Sequence, residues 1–365
     1  MKTPLSTLGL ACAALALGSL ASADTIYLLD GKSLTDVTVK EETFKEISYR
    51  EGGKNRTVRT DDVLRIEFSA KSPLVDRADT AAADGQVFDA IGDLEVYVDG
   101  LLSSGKTPRY KWEPAYAMFR LVELNGIVGD ADALVAAADK LIKNRPESRF
   151  VPLAFLAKAE AQHKTSKSGA AQKTLKDFQA IITSQALSQR WSIEQKLATA
   201  LFDSSLKGKK LRDALDRIST QAGSQFPLVH NRAEVAIAES FLEGKDFKQA
   251  EPIFTDIIEN AKADPRTLAA AYTGLGDCIF KRATGAKDDA RTKLLTEAVT
   301  SYMRVVVIYK DQTLYVPKAM YWAGRVFDEL GGDEDKEKAQ KLYRRVMIEY
   351  RGTSWADEAN AFRKR

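Results

Sequence analysis

The sequence predicts a mainly α-helical chain in which antiparallel helix hairpins stack into a solenoid, preceded by a small β-barrel domain. Two observations predict the solenoid. After residue 231, apolar residues recur at the 3–4-residue spacing of amphipathic helices, and each second helix carries an alanine four residues before a large aromatic residue. Between residues 25 and 68 the apolar pattern instead has the period of two that is typical of half-buried strands.

The hairpins after residue 231 combine small and bulky residues at fixed offsets. Their first helices carry the small residues Ala238, Gly276 and Gly324, and their second helices carry the pairs Ala250/Phe254, Ala298/Tyr302 and Ala339/Tyr343. Both members of a pair lie on one helix face, because they are about one turn apart. One hairpin cannot bury this apolar stripe alone, so successive hairpins are expected to stack and share a core.

These offsets resemble the tetratricopeptide repeat. The turns between hairpins read Arg145-Pro146-Glu147-Ser148, Tyr309-Lys310-Asp311-Gln312 and Tyr350-Arg351-Gly352-Thr353. They are similar to the turns of bacterial envelope proteins such as the Tol-Pal accessory and outer-membrane assembly types. The resemblance implies a concave groove lined by the first helices. Carried onto this chain, its groove positions are Arg232, Glu239, Asp277, Lys318, Tyr321 and Arg325. For each of these residues the alternative is an ordinary solvated side chain.

The chain begins like a secretory leader, with Lys2, an apolar run over residues 8–20 and Ala21-Ser22-Ala23 before Asp24. We expect residues 1–23 to be a signal peptide cleaved after Ala23, and the remainder contains no other candidate transmembrane segment. An alternative is that Cys12 is a lipoprotein cysteine. The prediction is therefore an exported protein, periplasmic or associated with the cell surface.

Residues 24–69 are predicted to form the small barrel, since short strands alternate with the turn signals Asp30-Gly31 and Gly52-Gly53. The opening resembles SH3-like or Sm-like barrels, and Sm-like barrels often bind RNA. Lys54, Arg56 and Arg59 cluster near a turn, but they lack interleaved aromatic residues for base stacking. A solvated charged hairpin is the preferred interpretation. So small a unit buries little surface and is expected to pack against the helices or a partner.

The rest of the chain is divided into three parts. Residues 70–85 are predicted to be a linker, residues 86–230 divergent helical repeats, and residues 231–365 tetratricopeptide repeats ending in a charged closing helix. Within the last part, residues 281–297 are predicted to form an insertion that combines a longer loop with extended helix ends. We count six or seven hairpins in all.

Composition and motifs argue against catalysis and against nucleic acid. The 54 lysines and arginines nearly balance 51 aspartates and glutamates, which gives no general reason to expect nucleic acid or an anionic membrane as a partner. The two histidines, His163 and His230, have no metal-ligand spacing, and there is no phosphate-binding loop or nucleophile elbow. Cys278, on a predicted helix, is expected to be a buried thiol, with a redox role as the alternative.

The sequence therefore predicts a non-catalytic scaffold that binds protein or peptide partners in the cell envelope, without cofactor or metal. The alternative function is a structural envelope component that binds peptidoglycan or another glycan, with peptidoglycan or outer-membrane association. An exported enzyme is a third hypothesis without a motif in its favour.

Overall fold

A computed structural model describes residues 23–105, 107–260 and 263–363. Its first part is an antiparallel sheet in the order β4-β3-β2-β1-β5. The strands are β1 Asp24–Leu28, β2 Ser33–Glu42, β3 Glu46–Glu51, β4 Lys54–Arg59 and β5 Val63–Glu67. A 3₁₀ turn, Thr60–Asp62, connects β4 to β5 on the far side of β1. The predicted strands are present, but β4 and β5 are not paired with each other, so the pairing does not close a barrel.

The sheet packs on the helical part, as expected for a unit with so small a core. The Phe68 ring stacks on Trp112 with centroids 3.4 Å apart, and Trp112 belongs to the apolar cluster of the sheet. Glu42 at the end of β2 forms an ion pair with Arg149, which follows a helix of the solenoid. Burial raises the pKa of Glu42, and the Arg149 guanidinium acts in the opposite direction.

In the described residues the chain forms fifteen α-helices. They are α1 Pro73–Ala83, α2 Val87–Ser104, α3 Glu113–Val128, α4 Ala131–Asn144, α5 Val151–Lys164, α6 Ser168–Ser184, α7 Gln189–Phe202, α8 Lys209–Ala222, α9 Pro227–Glu243, α10 Phe247–Glu259, α11 Pro265–Gly285, α12 Asp288–Ile308, α13 Val316–Leu330, α14 Asp333–Glu349 and α15 Ser354–Arg363. Consecutive helices from α1 to α14 pack in pairs, and α15 packs on α13 and α14. The fold is therefore a run of hairpins with one closing helix.

The predicted linker over residues 70–85 is wrong, because α1 occupies most of it. Val75, Ala78 and Ala81 are buried in the first helical cluster, where the small alanine side chains let α1 approach α2 closely. Glu113 of α3 accepts hydrogen bonds from the backbone N–H and hydroxyl of Ser72, the residue before α1. Glu113 thus holds Ser72, the N-cap residue of α1, from a distant position in the chain. The local pattern of alanines and charges did not reveal this helix.

Two other predicted boundaries also differ from the structure. The predicted division at residue 231 falls inside α9, whose first turn already buries Val229. The predicted long loop within residues 281–297 is short, because α11 continues to Gly285 and α12 begins at Asp288. The extra residues lengthen both helices, and Ala283 and Leu295 within them are buried.

The packing of helix on helix follows the predicted pairing of small and bulky residues. A Cβ atom added at Gly276 would lie 2.7 Å from the ring of Tyr302, and one added at Gly324 would lie 2.6 Å from the ring of Tyr343. Phe254 packs in the same way on Gly274, in the first helix of the following hairpin. All three rings are fully buried. Each ring therefore lies directly against helix backbone.

The odd-numbered helices form the inner layer of the solenoid. α5, α7, α9, α11 and α13 each contact the next odd-numbered helix, whereas successive even-numbered helices hardly approach one another. Helices that lie closer together on one side of a stack make that side concave. The first helices of the hairpins thus line the inner face.

The C-terminal end of the solenoid returns to its beginning. A Cβ atom added at Gly352 would lie 2.9 Å from the carbonyl oxygen of Val128, at the end of α3, and one added at Gly85 would lie 3.5 Å from Cγ of Glu349. Ile127 packs against both the first and the last helical clusters. The hairpins therefore complete about one turn around the inner face.

Replacing Phe254 with alanine is expected to lower the free energy of unfolding by about 3–5 kcal/mol, since a fully buried ring leaves a cavity against Gly274. Chemical denaturation followed by circular dichroism would measure the change. An unchanged midpoint would contradict the packing described above.

Replacing Gly276 with alanine is expected to destabilise the protein by about 1–2 kcal/mol, because overpacking costs about 1–3 kcal/mol and exceeds the helix-propensity gain of about 0.5–1 kcal/mol. Gly92, in the interior of α2, is the matched control, since nothing lies within 4 Å of a Cβ added there. Gly92→Ala should therefore stabilise by about 0.5–1 kcal/mol. Two variants that shift the denaturation midpoint in the same direction would contradict the Tyr302 contact.

Candidate functional site: the charged inner face

Charged side chains from several odd-numbered helices converge on the inner face. The Glu160 carboxylate of α5 interacts electrostatically with Arg232 of α9 and Arg266 of α11. Burial alone would raise the pKa of Glu160, but Lys164, Arg266 and Arg232 outweigh this and hold it below its usual value. α5 and α11 belong to hairpins three repeats apart, so their side chains come within electrostatic range of each other because the solenoid curves.

Two ion pairs fix charges on this face. Arg232 pairs with Glu194 of α7, whose side chain is 2% exposed. The Nζ atom of Lys318 lies 2.8 Å from Oδ2 of Asp277, and the Tyr302 hydroxyl donates a hydrogen bond of 2.7 Å to Oδ1 of the same residue. Both oxygens of Asp277 are therefore occupied, and the residue connects the core ring of Tyr302 to Lys318 on the inner face.

Glu239 differs from these residues because it belongs to no ion pair in the described residues. Water reaches its side chain, yet protein surrounds it, and this incomplete hydration raises the pKa of Glu239. Lys318 lowers the pKa, whereas the neighbouring carboxylates of Glu243 and Asp277 raise it further. A carboxylate in an open concavity without its own cation is suited to a cationic group of a ligand.

Arg266, in the first turn of α11, is the positively charged counterpart of Glu239. Burial would lower its pKa, but the Tyr315 hydroxyl and the Glu160 carboxylate reverse the effect and raise it. Among the described residues no carboxylate lies within ion-pair distance of its guanidinium. Tyr315 interacts electrostatically with both Arg266 and Glu239, so the three side chains lie near one another on the inner face.

Four of the six predicted groove residues lie on the inner face, namely Arg232, Glu239, Asp277 and Lys318. Tyr321 does not, since it is 3% exposed and packs on Trp355 of the closing helix, with centroids 5.6 Å apart. The Arg325 guanidinium lies 3.9 Å from the centroid of the ring of Phe362, which also belongs to the closing helix. The closing helix α15 therefore covers the last repeat. The groove prediction is wrong for Tyr321, which is buried, whereas Arg325 is partly exposed beside α15.

Sequence reasoning missed Glu160, Glu194, Arg266 and Tyr315. A signal was present for Glu160, which follows the small residue Ala159 just as Glu239 follows Ala238 and Asp277 follows Gly276. No comparable offset marks Arg266 or Tyr315. They lie beside the turns that lead into α11 and α13, and only the curvature of the solenoid brings them to the inner face.

Other kinds of site find no support in the described part of the chain. No group of three or more His, Cys, Asp or Glu residues there could hold a metal ion. None of the described helices is sufficiently long and apolar to cross a bilayer. The predicted leader lies outside the described residues.

Comparison with known proteins gives structural neighbours only. No protein-family model matches this chain, and no curated protein is significantly similar to it. A tetratricopeptide repeat protein from Parabacteroides merdae ATCC 43184 aligns with 80% of this chain and 98% of its own, at 10% identity and a TM-score of 0.40. A circular tandem repeat protein with novel repeat topology aligns with 79% of this chain and 72% of its own, at 15% identity and a TM-score of 0.18.

Both structural neighbours are repeat proteins, and no enzyme family was found. Their TM-scores are low, so the description of this chain as a helical-repeat protein depends on its own helix pairing and on its contacts between aromatic rings and glycines. The repeat fold is typical of proteins that bind other proteins, although a fold by itself does not assign a function.

The Cys278 thiol is expected to be unreactive in the native protein. It is fully buried, and burial, together with the nearby Glu251 and Asp277 carboxylates, raises its pKa to about 12. The reactive thiolate is then scarce at pH 8, so native labelling by Ellman's reagent should be at least about a thousandfold slower than labelling of an unfolded cysteine. A Cys12→Ser variant isolates the Cys278 signal, and guanidinium supplies the unfolded reference. Rapid native labelling would support the redox alternative.

Proposed function

We propose that this protein is a non-catalytic scaffold of the cell envelope that binds a segment of partner proteins along its concave inner face. The observation that carries the proposal is the convergence of charges from α5 to α13, with Glu239 and Arg266 left without ion pairs around Tyr315. A partner segment with one basic and one acidic side chain would form ion pairs with both Glu239 and Arg266. The Tyr315 ring would add apolar contact area between them.

The physical setting favours such recognition. Charges interact more strongly where hydration is incomplete than in bulk water. Truncating one partner of a hydrogen-bonded charge pair at an interface typically costs 2–5 kcal/mol. The internal pairs of Arg232 with Glu194 and of Lys318 with Asp277 hold the surrounding side chains in place. A fixed surface loses less conformational entropy when a ligand binds.

The envelope location is part of the proposal and is supported by the leader-like sequence of residues 1–23. The mature chain is expected to begin at Asp24. Mass spectrometry of the protein from an envelope fraction would identify its first residue. Recovery in the cytosol with residues 1–23 intact would contradict this part of the proposal and leave the inner-face part standing.

Glu239→Arg is expected to weaken partner capture by roughly tenfold or more, because the reversed charge would repel the basic side chain of the partner. A photoreactive amino acid placed at Tyr315 in living cells would give crosslinks to a defined partner, and the Glu239→Arg change in the same chain should reduce their yield.

Thr296 provides the matched control, since it is an exposed residue of α12 in the outer layer. A photoreactive group there should not give the crosslinks obtained at Tyr315. Identical crosslinks at both positions, or unchanged crosslinks in Glu239→Arg, would contradict binding at the inner face. If the protein instead sediments with purified sacculi and Glu239→Arg leaves that sedimentation intact, the glycan-binding alternative replaces the proposal.

A further inference from the structure

Two carboxylates are buried close together where the first strand of the sheet begins. The side chain of Glu42, at the end of β2, is 2% exposed, and Asp24, the first residue of β1, is 6% exposed. The Asp24 carboxylate accepts hydrogen bonds from the backbone N–H groups of Val39 at 2.8 Å and Ser69 at 2.9 Å. Asp24 therefore connects β1 to β2 on one side and to the segment after β5 on the other.

The pairing of β2 with β3 places Glu42 on the same buried face as Val39. A register shift follows Val39, so that Val39 pairs with Tyr49 and Glu42 pairs with Ile47, two residues away in β3. Side chains two positions apart in a strand lie on one face, about 7 Å apart. Because the Asp24 carboxylate is bound at Val39, it lies within electrostatic range of Glu42.

The described residues supply this cluster with one cation for two carboxylates. The Arg149 guanidinium pairs with Oε2 of Glu42, whereas Oε1 is buried and has no hydrogen-bond partner there. No described Lys or Arg lies within ion-pair distance of Asp24. A charge held away from water without a counter-charge is costly, and a cation placed beside it offsets that cost. The cluster is therefore suited to one further cation.

The backbone of Asp24 can itself supply that cation. Hydrolysis of the Ala23–Asp24 peptide bond consumes one water molecule and leaves a carboxylate on Ala23 and an α-ammonium group on Asp24. This group is mostly protonated at pH 7, since its usual pKa is about 8. Its nitrogen is bonded to the Cα atom that carries the buried Asp24 side chain, so the positive charge arises beside the cluster.

We propose that the α-ammonium group of Asp24, created by leader removal, joins Glu42 and Arg149 and fixes the sheet on the solenoid. The inference rests on the cleavage included in the proposed function above. Arg149 lies just before α5, and the backbone N–H of Phe44 donates a hydrogen bond of 2.9 Å to the carbonyl oxygen of Glu147. Compensating the charge of Glu42 therefore strengthens β2 where it meets the solenoid. A precursor that retains residues 1–23 lacks this charge and holds the sheet less firmly.

Hydrogen exchange measured by mass spectrometry tests the proposal on two purified chains with defined first residues. One chain begins at Asp24, and the other retains Ala21, Ser22 and Ala23. Both have the same net charge, but in the second the ammonium group lies up to about 10 Å farther along the chain. The amides of β2 are expected to exchange roughly tenfold or more slowly in the chain from Asp24, because the sheet opens less often. The amides of α9 should exchange equally in both.

Glu42→Gln should reduce the difference between the two chains to within about twofold, because it removes the carboxylate that the ammonium group compensates. Glu41→Gln is the matched control, since this neighbouring carboxylate is exposed. It should leave the tenfold difference unchanged. Circular dichroism verifies that the variants fold.

A second measurement decides the matter even where Glu42→Gln does not fold. Titration of the ¹⁵N-labelled α-ammonium group by NMR, in the unchanged chain from Asp24, should give a pKa above the usual value of about 8, because neighbouring carboxylates favour the charged form.

Three results would overturn the proposal. These are equal exchange of β2 in the two chains, a difference that persists in Glu42→Gln, and an α-ammonium pKa at or below its usual value. Because both chains are prepared with a defined start, these results do not depend on where the leader is cleaved in the cell. A first residue other than Asp24 in the envelope fraction would overturn the inference through its premise, whatever the exchange rates.

Discussion

The contact of an aromatic ring with helix backbone at a glycine is the interaction on which the rest of this structure depends. Tyr302 lies on Gly276 and Tyr343 lies on Gly324 so closely that even a methyl group would overlap the rings. Such contact sets how near the two helices of a hairpin approach and at what angle. The repeated geometry curves the stack, and the curvature brings α5 and α11 within electrostatic range of each other. The candidate site is therefore a consequence of these contacts between rings and glycines.

One of these rings, that of Tyr302, is also linked by hydrogen bonds to residues of the inner face. Tyr302 fills the core with its ring, while its hydroxyl holds Asp277, and Asp277 in turn holds Lys318. The ring is buried because it is apolar. The hydroxyl reaches the edge of the helix–helix contact, where a carboxylate accepts its hydrogen bond. One side chain thus couples the packing of α12 on α11 to the position of a cation on the concave surface. The charges that remain unpaired, Glu239 and Arg266, stand beside this fixed framework.

The two ends of the solenoid are covered in different ways. At the N-terminal end the sheet packs on α3 through Phe68 and Trp112, and Arg149 pairs with one oxygen of the buried Glu42 carboxylate. At the C-terminal end α15 covers Tyr321 and Arg325, at positions that would otherwise continue the groove. The return of Gly352 to Val128 then closes the turn. The inner face remains open to solvent, since Glu239 and Arg266 are both exposed.

Local patterns in the sequence predicted the hairpin architecture after residue 231, the strands of the N-terminal sheet and the burial of Phe254, Tyr302 and Tyr343. These follow from local periodicity, and periodicity depends only on which side of a helix or strand meets the core. The local pattern did not reveal α1, whose N-cap residue Ser72 is held by Glu113, 41 positions along the chain. Nor could it determine that Tyr321 is covered while Arg266 and Tyr315 join the inner face. Those outcomes depend on the curvature of the stack of seven hairpins and its closing helix. The curvature is the sum of small packing angles between neighbouring helices, so the local sequence of one segment does not determine it.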